Sequence, residues 1–106
     1  RGLLESTLVV LATEFGRKPD YSGNGRGHYP ICFSTALAGG GVKQGFVYGS
    51  SDSKGAEPND PVTVMDFHAT IGWAAGIPLK EPVHTASGRP MHIGGGKGDP
   101  VLDLFA

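Results

Sequence analysis

Hydrophobic residues in this sequence occur in short runs separated by polar segments that are rich in glycine. The run at residues 8–12 ends abruptly at Thr13 and Glu14. This pattern is typical of a buried parallel strand that enters a loop at its carboxyl end. Further apolar runs at residues 31–38 and 45–49 predict two more strands.

The strongest helical pattern covers residues 64–75. Thr63 precedes it as a capping residue, and Asp66, three positions on, completes a capping-box pair. Apolar residues recur inside it at helical spacing, and those expected to be buried against a sheet are Phe67, Ile71 and Trp73. An extended segment at residues 88–93 and a short helix at 100–105 complete the predicted elements.

The composition is that of one folded domain or part of one. Of the 106 residues, 39% are hydrophobic and 18% are charged, which excludes a disordered chain. Nine basic and ten acidic residues give no basic surface, so nucleic acid is not an expected partner. No apolar run is long enough to span a membrane. Cys32 is alone, which excludes a disulfide or multi-cysteine zinc site within the chain. Three glycines at 39–41 predict a sharp turn or a close backbone approach.

The candidate functional residues lie at or after the end of the first predicted strand. Ligands of open α/β sheets bind outside the carboxyl ends of the strands, where Glu14 and Arg17 would lie. His28 follows a glycine-rich loop and precedes the second apolar run. A carboxylate and a histidine brought to one edge would form a metal or phosphate site. In the alternative interpretation, Glu14 is an exposed strand-end carboxylate and His28 is a loop residue bonded to backbone.

The other reactive side chains form no complete catalytic motif. No two of the four histidines have the i, i+4 spacing of a helical zinc motif, and there is no Gly-x-Ser-x-Gly sequence. His68, on the predicted helix, is interpreted as a packed or surface histidine. We therefore expect no catalytic nucleophile in this chain.

Several ordered motifs nevertheless resemble a known family. The segments at residues 13–17, 25–30, 38–45 and 61–71 are similar to the C-terminal part of the DUF1501 proteins, sulfatase-like members of the alkaline phosphatase superfamily. The resemblance implies an α/β three-layer sandwich fragment with a mostly parallel sheet flanked by helices. It also implies that residues 1–106 are a single C-terminal portion without an internal boundary, from a bacterial and exported or periplasmic protein whose signal lies outside this chain.

The resemblance carries over to individual residues only in part. The superfamily places a metal-ligating Asp-His pair at the positions held here by Glu14 and Phe15, and Phe15 cannot ligate a metal. His28 matches a further superfamily metal ligand. The usual DUF1501 form before that histidine is Arg-Asp, whereas this chain has Gly27 in place of the aspartate. The superfamily nucleophile and its first metal-binding aspartate lie upstream and are absent from this chain.

The resemblance thus implies a metal-dependent hydrolase of phosphate or sulfate esters. Glu14 and His28 would be ligands of a divalent metal (zinc, calcium, magnesium or manganese). Arg17 and Arg26 would bind the anionic group of a small ester substrate. The upstream part of the same domain would be the partner of this chain, and the isolated chain would be inactive.

A second hypothesis is a non-catalytic structural or binding module derived from the same fold. Phe15 and Gly27, at two positions where ligands are expected, favour it. The two hypotheses differ in the upstream sequence that they require. A hydrolase needs an apolar strand followed by aspartate, and then a serine, threonine or cysteine that opens a helix.

Overall fold

A computed structural model describes residues 2–21 and 23–106 of the chain. One α-helix, eight short strands and three 3-10 helices form its regular structure in these residues. The strands are β1 (Val9–Leu11), β2 (Gly16–Arg17), β3 (His28–Tyr29), β4 (Ala36–Ala38), β5 (Ser50–Ser51), β6 (Pro58–Asn59), β7 (Val83–His84) and β8 (Pro90–Met91). The helix α1 covers Val64–Ala74, and the 3-10 helices cover Leu3–Ser6, Ile93–Gly96 and Leu102–Leu104.

The strands form four separate antiparallel pairs. β1 pairs with β4, β2 with β3, β5 with β6, and β7 with β8. In the β1–β4 pair, Leu11 at the end of one strand lies opposite Ala36 at the start of the other. The hairpin made by β2 and β3 therefore emerges from the end of this pair at which β1 finishes and β4 begins.

The predicted three-layer α/β sandwich with a mostly parallel sheet is wrong. Within residues 2–21 and 23–106 every strand pairing is antiparallel, and each sheet has two strands. Parallel neighbours need a long crossover connection, usually a helix. The segment between β1 and β4 contains a hairpin instead, and α1 follows both strands in the chain, so the two apolar runs meet as an antiparallel pair.

The lengths of the strands also differ from the prediction. The runs expected to form strands at residues 8–12 and 31–38 contain only three strand residues each. The predicted strand at 45–49 is wrong, because these residues form a turn and irregular backbone before β5 begins. Short strands without covering layers leave much of their side-chain surface exposed.

The three glycines after β4 allow the backbone to pass close to the segment that precedes β1. Gly39 has a positive φ of 73°, and a Cβ there would overlap the carbonyl oxygen of Thr7 and lie 2.7 Å from Leu4 Cδ1. The Gly40 amide donates to the Leu4 carbonyl at 3.0 Å. The predicted close backbone approach is confirmed, and it ties β4 to the segment that precedes β1.

Helix α1 begins as its sequence predicted. The Asp66 amide donates to Thr63 Oγ1 at 3.1 Å, and the Thr63 amide donates to the Asp66 carboxylate at 3.3 Å. These reciprocal bonds form a capping box and satisfy backbone N–H groups that otherwise have no partner at a helix start. Asp66 is thus a capping residue, as predicted.

The buried side of α1 is not the predicted one. Trp73 is 43% exposed, and Phe67 and Ile71 are only half-buried, whereas the buried helix residues are Ala69, Thr70 and Gly72. These small residues face the segment around Ile93, whose Cγ2 lies 2.7 Å from the place where a Gly72 Cβ would be. The helix packs on a glycine-rich segment through small side chains, and this leaves its larger ones near the surface.

Two polar side chains of α1, one of them buried, attach the C-terminal segment to the helix. Thr70, 1% exposed, donates through Oγ1 to the Asp66 carbonyl at 2.6 Å and accepts from the Val101 amide at 2.9 Å. The Asp99 amide donates to the Asp66 carboxylate at 2.8 Å. Further on, the rings of Phe105 and Trp73 pack with their centroids 4.9 Å apart. The core of the described chain is therefore this helix and the C-terminal segment.

Acid is expected to weaken this attachment. The hydrogen bond from the Thr63 side chain, followed by that from the Asp99 amide, lowers the pKa of Asp66 below its usual value of 3.8. A carboxyl with a lowered pKa in the folded state stabilises the fold above its unfolded pKa, and this contribution is lost as the pH falls through the folded pKa. We expect the Tm, followed by circular dichroism, to fall below about pH 4.

An Asp66→Asn variant should show a flatter decline of Tm across the same pH range, because it has no charge to lose there. Asp103→Asn is the matched control, since the Asp103 backbone carbonyl, and not its carboxylate, accepts the bond from Lys43. If Tm fell equally with pH in Asp66→Asn and in the unmodified chain, the loss of stability in acid could not be due to Asp66.

No helix among the described residues has the length and apolar character that crossing a membrane requires.

Candidate functional site

The predicted site residues lie on or beside the β2–β3 hairpin. Its register places Arg17 directly opposite His28 and Gly16 opposite Tyr29. The Lys18 amide donates to the Gly27 carbonyl at 2.9 Å, one step beyond the paired residues. Since directly opposite residues of an antiparallel pair project to the same face, the hairpin brings the Arg17 and His28 side chains together.

An aromatic ring joins these two side chains. The Phe15 ring stacks on the His28 imidazole with centroids 3.8 Å apart and planes inclined by 18°. The Arg17 guanidinium carbon lies 5.7 Å from the Phe15 centroid, within the range of cation–π attraction. Phe15 precedes Arg17 by two positions and so falls on the same face of the strand. The three side chains form a stack, with Arg17 and His28 both exposed.

Arg26 is linked to this stack through its backbone. Its carbonyl accepts a hydrogen bond from Arg17 Nη1 at 3.2 Å. Its own guanidinium carbon lies 5.6 Å from the centroid of the Tyr21 ring. The two guanidinium groups thus belong to one hairpin and each rests near its own aromatic ring. Both side chains are exposed to solvent.

A second hairpin holds β3 in place. The Tyr29 hydroxyl donates to the Ala56 carbonyl at 2.8 Å, and the Asp52 carboxylate accepts from the amides of Ala56 and Glu57 at 2.7 and 3.2 Å. These amide bonds lower the pKa of Asp52. Desolvation, followed by the charge of Glu57, raises the pKa of the Tyr29 hydroxyl, so it remains a donor at neutral pH. The residue after His28 is therefore fixed to the β5–β6 loop.

Glu14 and Arg17 also line an open groove next to the hairpin. The groove has a volume of about 1160 Å³ and lies between residues 12–17 and residues 61–68. His68, on α1, lines its opposite side, whereas His28 and Arg26 are outside its lining. The structure therefore brings Arg17 to both His28 and the groove, and it places Glu14 in the groove.

The described residues do not form a metal site on their own. Zinc sites in proteins use three or four protein ligands, and residues 2–21 and 23–106 contain no group of three His, Cys, Asp or Glu side chains that could hold a metal ion. The Phe15 ring covers one face of the His28 imidazole. Glu14 and His28 as metal ligands stay a prediction, and they would need donors from outside the described residues.

The sequence does not indicate that His68 lines the groove. It was interpreted as a packed or surface histidine, and it is exposed on α1 beside Phe67. Its place opposite Glu14 depends on how α1 packs beside the hairpin, and no local sequence pattern encodes that packing. The missing signal was the antiparallel topology, which turns the hairpin toward the helix.

Comparison with known proteins gives one positive result. A family model described as "Protein of unknown function (DUF1501)" matches residues 1–105. No curated protein matches the chain, and neither does any solved structure.

Proposed function

Because the chain belongs to the DUF1501 family, we propose that it supplies the anion-binding part of a sulfatase-like hydrolase of phosphate or sulfate esters. The observation that carries this proposal is the hairpin that presents Arg17 and His28 on one face, with the Arg26 carbonyl bonded to Arg17. Guanidinium groups match the geometry of phosphate and sulfate oxygens through paired N–H donors. Both arginines are exposed and accessible to a ligand.

In this proposal the hairpin binds and orients the ester, and other parts of the protein carry out bond cleavage. Arg17 donates to the oxygens of the anion and stabilises charge that develops on them in the transition state. The nucleophile comes from outside this chain. Glu14 and His28 remain the predicted donors to a divalent metal, whose other ligands would also come from outside residues 1–106.

The chain exposes more surface than a compact domain of its size, which favours a large partner that covers it. We propose that this partner is the upstream part of the same domain. The chain exposes 7999 Å², whereas a compact monomer of 11.0 kDa exposes about 5,600 Å². Its radius of gyration is 16.3 Å, against about 13 Å for a compact domain of this length. The difference in area is about 2,400 Å² on this chain alone, whereas a standard interface buries about 800 Å² per partner. Export, which the family resemblance implies, belongs to the same proposal.

A non-catalytic binding module is the second candidate, and one observation favours it. The Phe15 ring stacks on His28 at 3.8 Å and stands where the superfamily has a metal-ligating histidine. In such a module the hairpin would bind an anion without cleaving it. The upstream sequence separates the two candidates, because only the hydrolase needs a nucleophile there.

Anion binding is expected to depend on Arg17. In an NMR titration with inorganic phosphate or sulfate, amides of residues 16–18 and 27–29 should shift, and sodium chloride at equal ionic strength should not shift them. Arg17→Gln should weaken binding about tenfold, because a hydrogen bond to a charged group contributes about 1.5 kcal/mol or more. Arg89→Gln is the matched control, since Arg89 is exposed and lies in the β7–β8 hairpin, which is a separate sheet from the β2–β3 hairpin. Equal affinities for the two variants would contradict the proposal.

The isolated chain is expected to show no esterase activity. Nitrophenyl phosphate and nitrophenyl sulfate, each tested with zinc, manganese, magnesium or calcium, should remain uncleaved because the sequence contains no recognisable catalytic nucleophile. Metal-dependent turnover that disappears in Glu14→Ala would overturn this expectation and place a complete catalytic site within the chain.

A further inference from the structure

We infer that Tyr29 is a positioning residue of the anion site, and that its hydroxyl holds the β2–β3 hairpin in the orientation in which Arg17 meets the ligand. Asp52 supports Tyr29 from the far side of a single peptide group. This inference rests on the proposed function, because it requires the anion to be held at Arg17. It adds two residues that act on the site without touching the anion.

The hairpin needs such support because it is short. Its two strands have two residues each, and an isolated two-stranded hairpin is at best marginally stable in water. Tyr29 and Gly16 form the pair next to Arg17 and His28. Since Gly16 has no side chain, Tyr29 provides the only side chain of that pair, and a bond that fixes Tyr29 also restrains the neighbouring pair.

The loop at residues 52–57, which joins β5 to β6, lies beside both strands of the hairpin. Its Ala56 carbonyl accepts from the Tyr29 hydroxyl at 2.8 Å. A Cβ at Gly55 would lie 4.0 Å from the Cβ of Pro19, which closely follows β2. Successive residues of a strand project to opposite faces, so Tyr29 points away from the face that carries His28. The loop therefore supports the hairpin on the face opposite to the ligand.

The peptide group between Ala56 and Glu57 is held from both sides. Its N–H, the Glu57 amide, donates to the Asp52 carboxylate at 3.2 Å, and its C=O accepts from Tyr29. The Ala56 amide donates to the same carboxylate at 2.7 Å. A negative charge on the N–H side polarises the peptide group and makes its carbonyl a stronger acceptor. Asp52 thus orients and strengthens the acceptor of the Tyr29 hydroxyl.

Tyr29→Phe in the 106-residue chain tests the inference, because it removes only the hydroxyl. In an NMR titration with inorganic sulfate, binding should weaken about fivefold, the factor that one ordinary hydrogen bond contributes, since the ligand then has to restore the orientation of the hairpin. The ring protons of His28, which lie against the Phe15 ring, should shift toward the values of a solvated histidine. Tyr48→Phe is the matched control, since Tyr48 is 39% exposed and lies outside this hairpin.

Two substitutions of Asp52 separate positioning from charge. If its charge alone mattered, removing it would strengthen the binding of an anion. Positioning predicts the opposite for Asp52→Ala, about threefold weaker sulfate binding, because two loop amides lose their acceptor. Asp52→Asn retains an oxygen that can accept from these amides, and it should bind sulfate at least as tightly as the unmodified chain. Circular dichroism verifies that the variants fold.

Unchanged sulfate affinity in Tyr29→Phe, with binding still weakened by Arg17→Gln, would overturn the inference and leave the proposed function standing. Weaker binding with unchanged His28 resonances would also overturn it, because the hydroxyl would then contact the anion instead of positioning the hairpin. Stronger binding in Asp52→Ala would exclude the support from Asp52. Absence of sulfate binding to the unmodified chain would overturn both the inference and the proposed function.

Discussion

Replacing Gly98 with alanine is expected to separate the glycine-rich segment from α1. A Cβ at Gly98 would overlap the carbonyl oxygen of Met65 and lie 3.1 Å from the Ala69 Cβ. Ala69 is fully buried, so neither neighbour can move without displacing the helix. Overpacking of this kind costs about 1–3 kcal/mol, and each kcal/mol lowers the Tm of a domain of this size by about 4–8 °C.

Gly27→Ala is the control for this substitution. Neither glycine has a positive φ, so the comparison isolates the clash from any strain of the backbone. A Cβ at Gly27 would meet only the Lys18 side chain, at an ordinary contact distance of 3.6 Å. Thermal unfolding followed by circular dichroism should show a much larger fall in Tm for Gly98→Ala. Equal values of Tm would mean that the segment does not pack on the helix.

Phe105→Ala is expected to remove the largest apolar side chain from the core. Phe105 is 9% exposed, packs on Trp73 and forms a backbone bridge with Val42. Truncation of a buried phenylalanine to alanine typically costs about 3–5 kcal/mol. We expect a loss near the lower end of that range, because Trp73 on the other side of the contact is partly exposed and can relax.

Phe46→Ala provides the matched control. Phe46 is 45% exposed, and the Lys43 ammonium lies 5.1 Å from the centre of its ring, so we expect its removal to cost about 1 kcal/mol or less. Urea unfolding gives both free energies of unfolding. The fluorescence of Trp73 should shift to the red only in Phe105→Ala, and a shift of the same size in both variants would contradict the assigned contact.

The part of the fold that depends on local interactions was predictable. The start of α1 is encoded within four residues, because Thr63 and Asp66 satisfy each other's backbone amides. The close approach at Gly39 was also predictable, since only a residue without a Cβ fits there. Each of these features depends on residue type and spacing, which the sequence shows directly.

The pairing of the strands was not predictable in this way. The apolar runs were expected to form parallel strands, but Val9 pairs with Ala38 and Leu11 with Ala36 in an antiparallel pair. An apolar run has the same composition in either orientation, and the choice depends on the connection between the strands. Here that connection is a hairpin, in which Gly23 and Gly25 have the positive φ that tight reversals require.

In the candidate site, only the proximity of residues that share the β2–β3 hairpin was predictable. Arg17 and His28 were expected at one end of the sheet, and they lie opposite each other in the hairpin. The stacking of Phe15 on His28 was not foreseen, because Phe15 had been considered only as a position where a ligand is lost. Whether Glu14 shares a metal ion with His28 stays a prediction.

The hydroxyl of Thr70 has a further consequence for how the chain opens. It accepts from Val101, 31 positions away, while it donates to the carbonyl of Asp66 within the helix. Releasing the C-terminal segment would break the bond from Val101 and the one from the Asp99 amide to the Asp66 carboxylate, so we expect the segment and α1 to open together as one cooperative unit. Protection of the Val101 amide from hydrogen exchange then follows the helix. A protease that cuts the exposed connection between β7 and β8 would leave two pieces that stay associated.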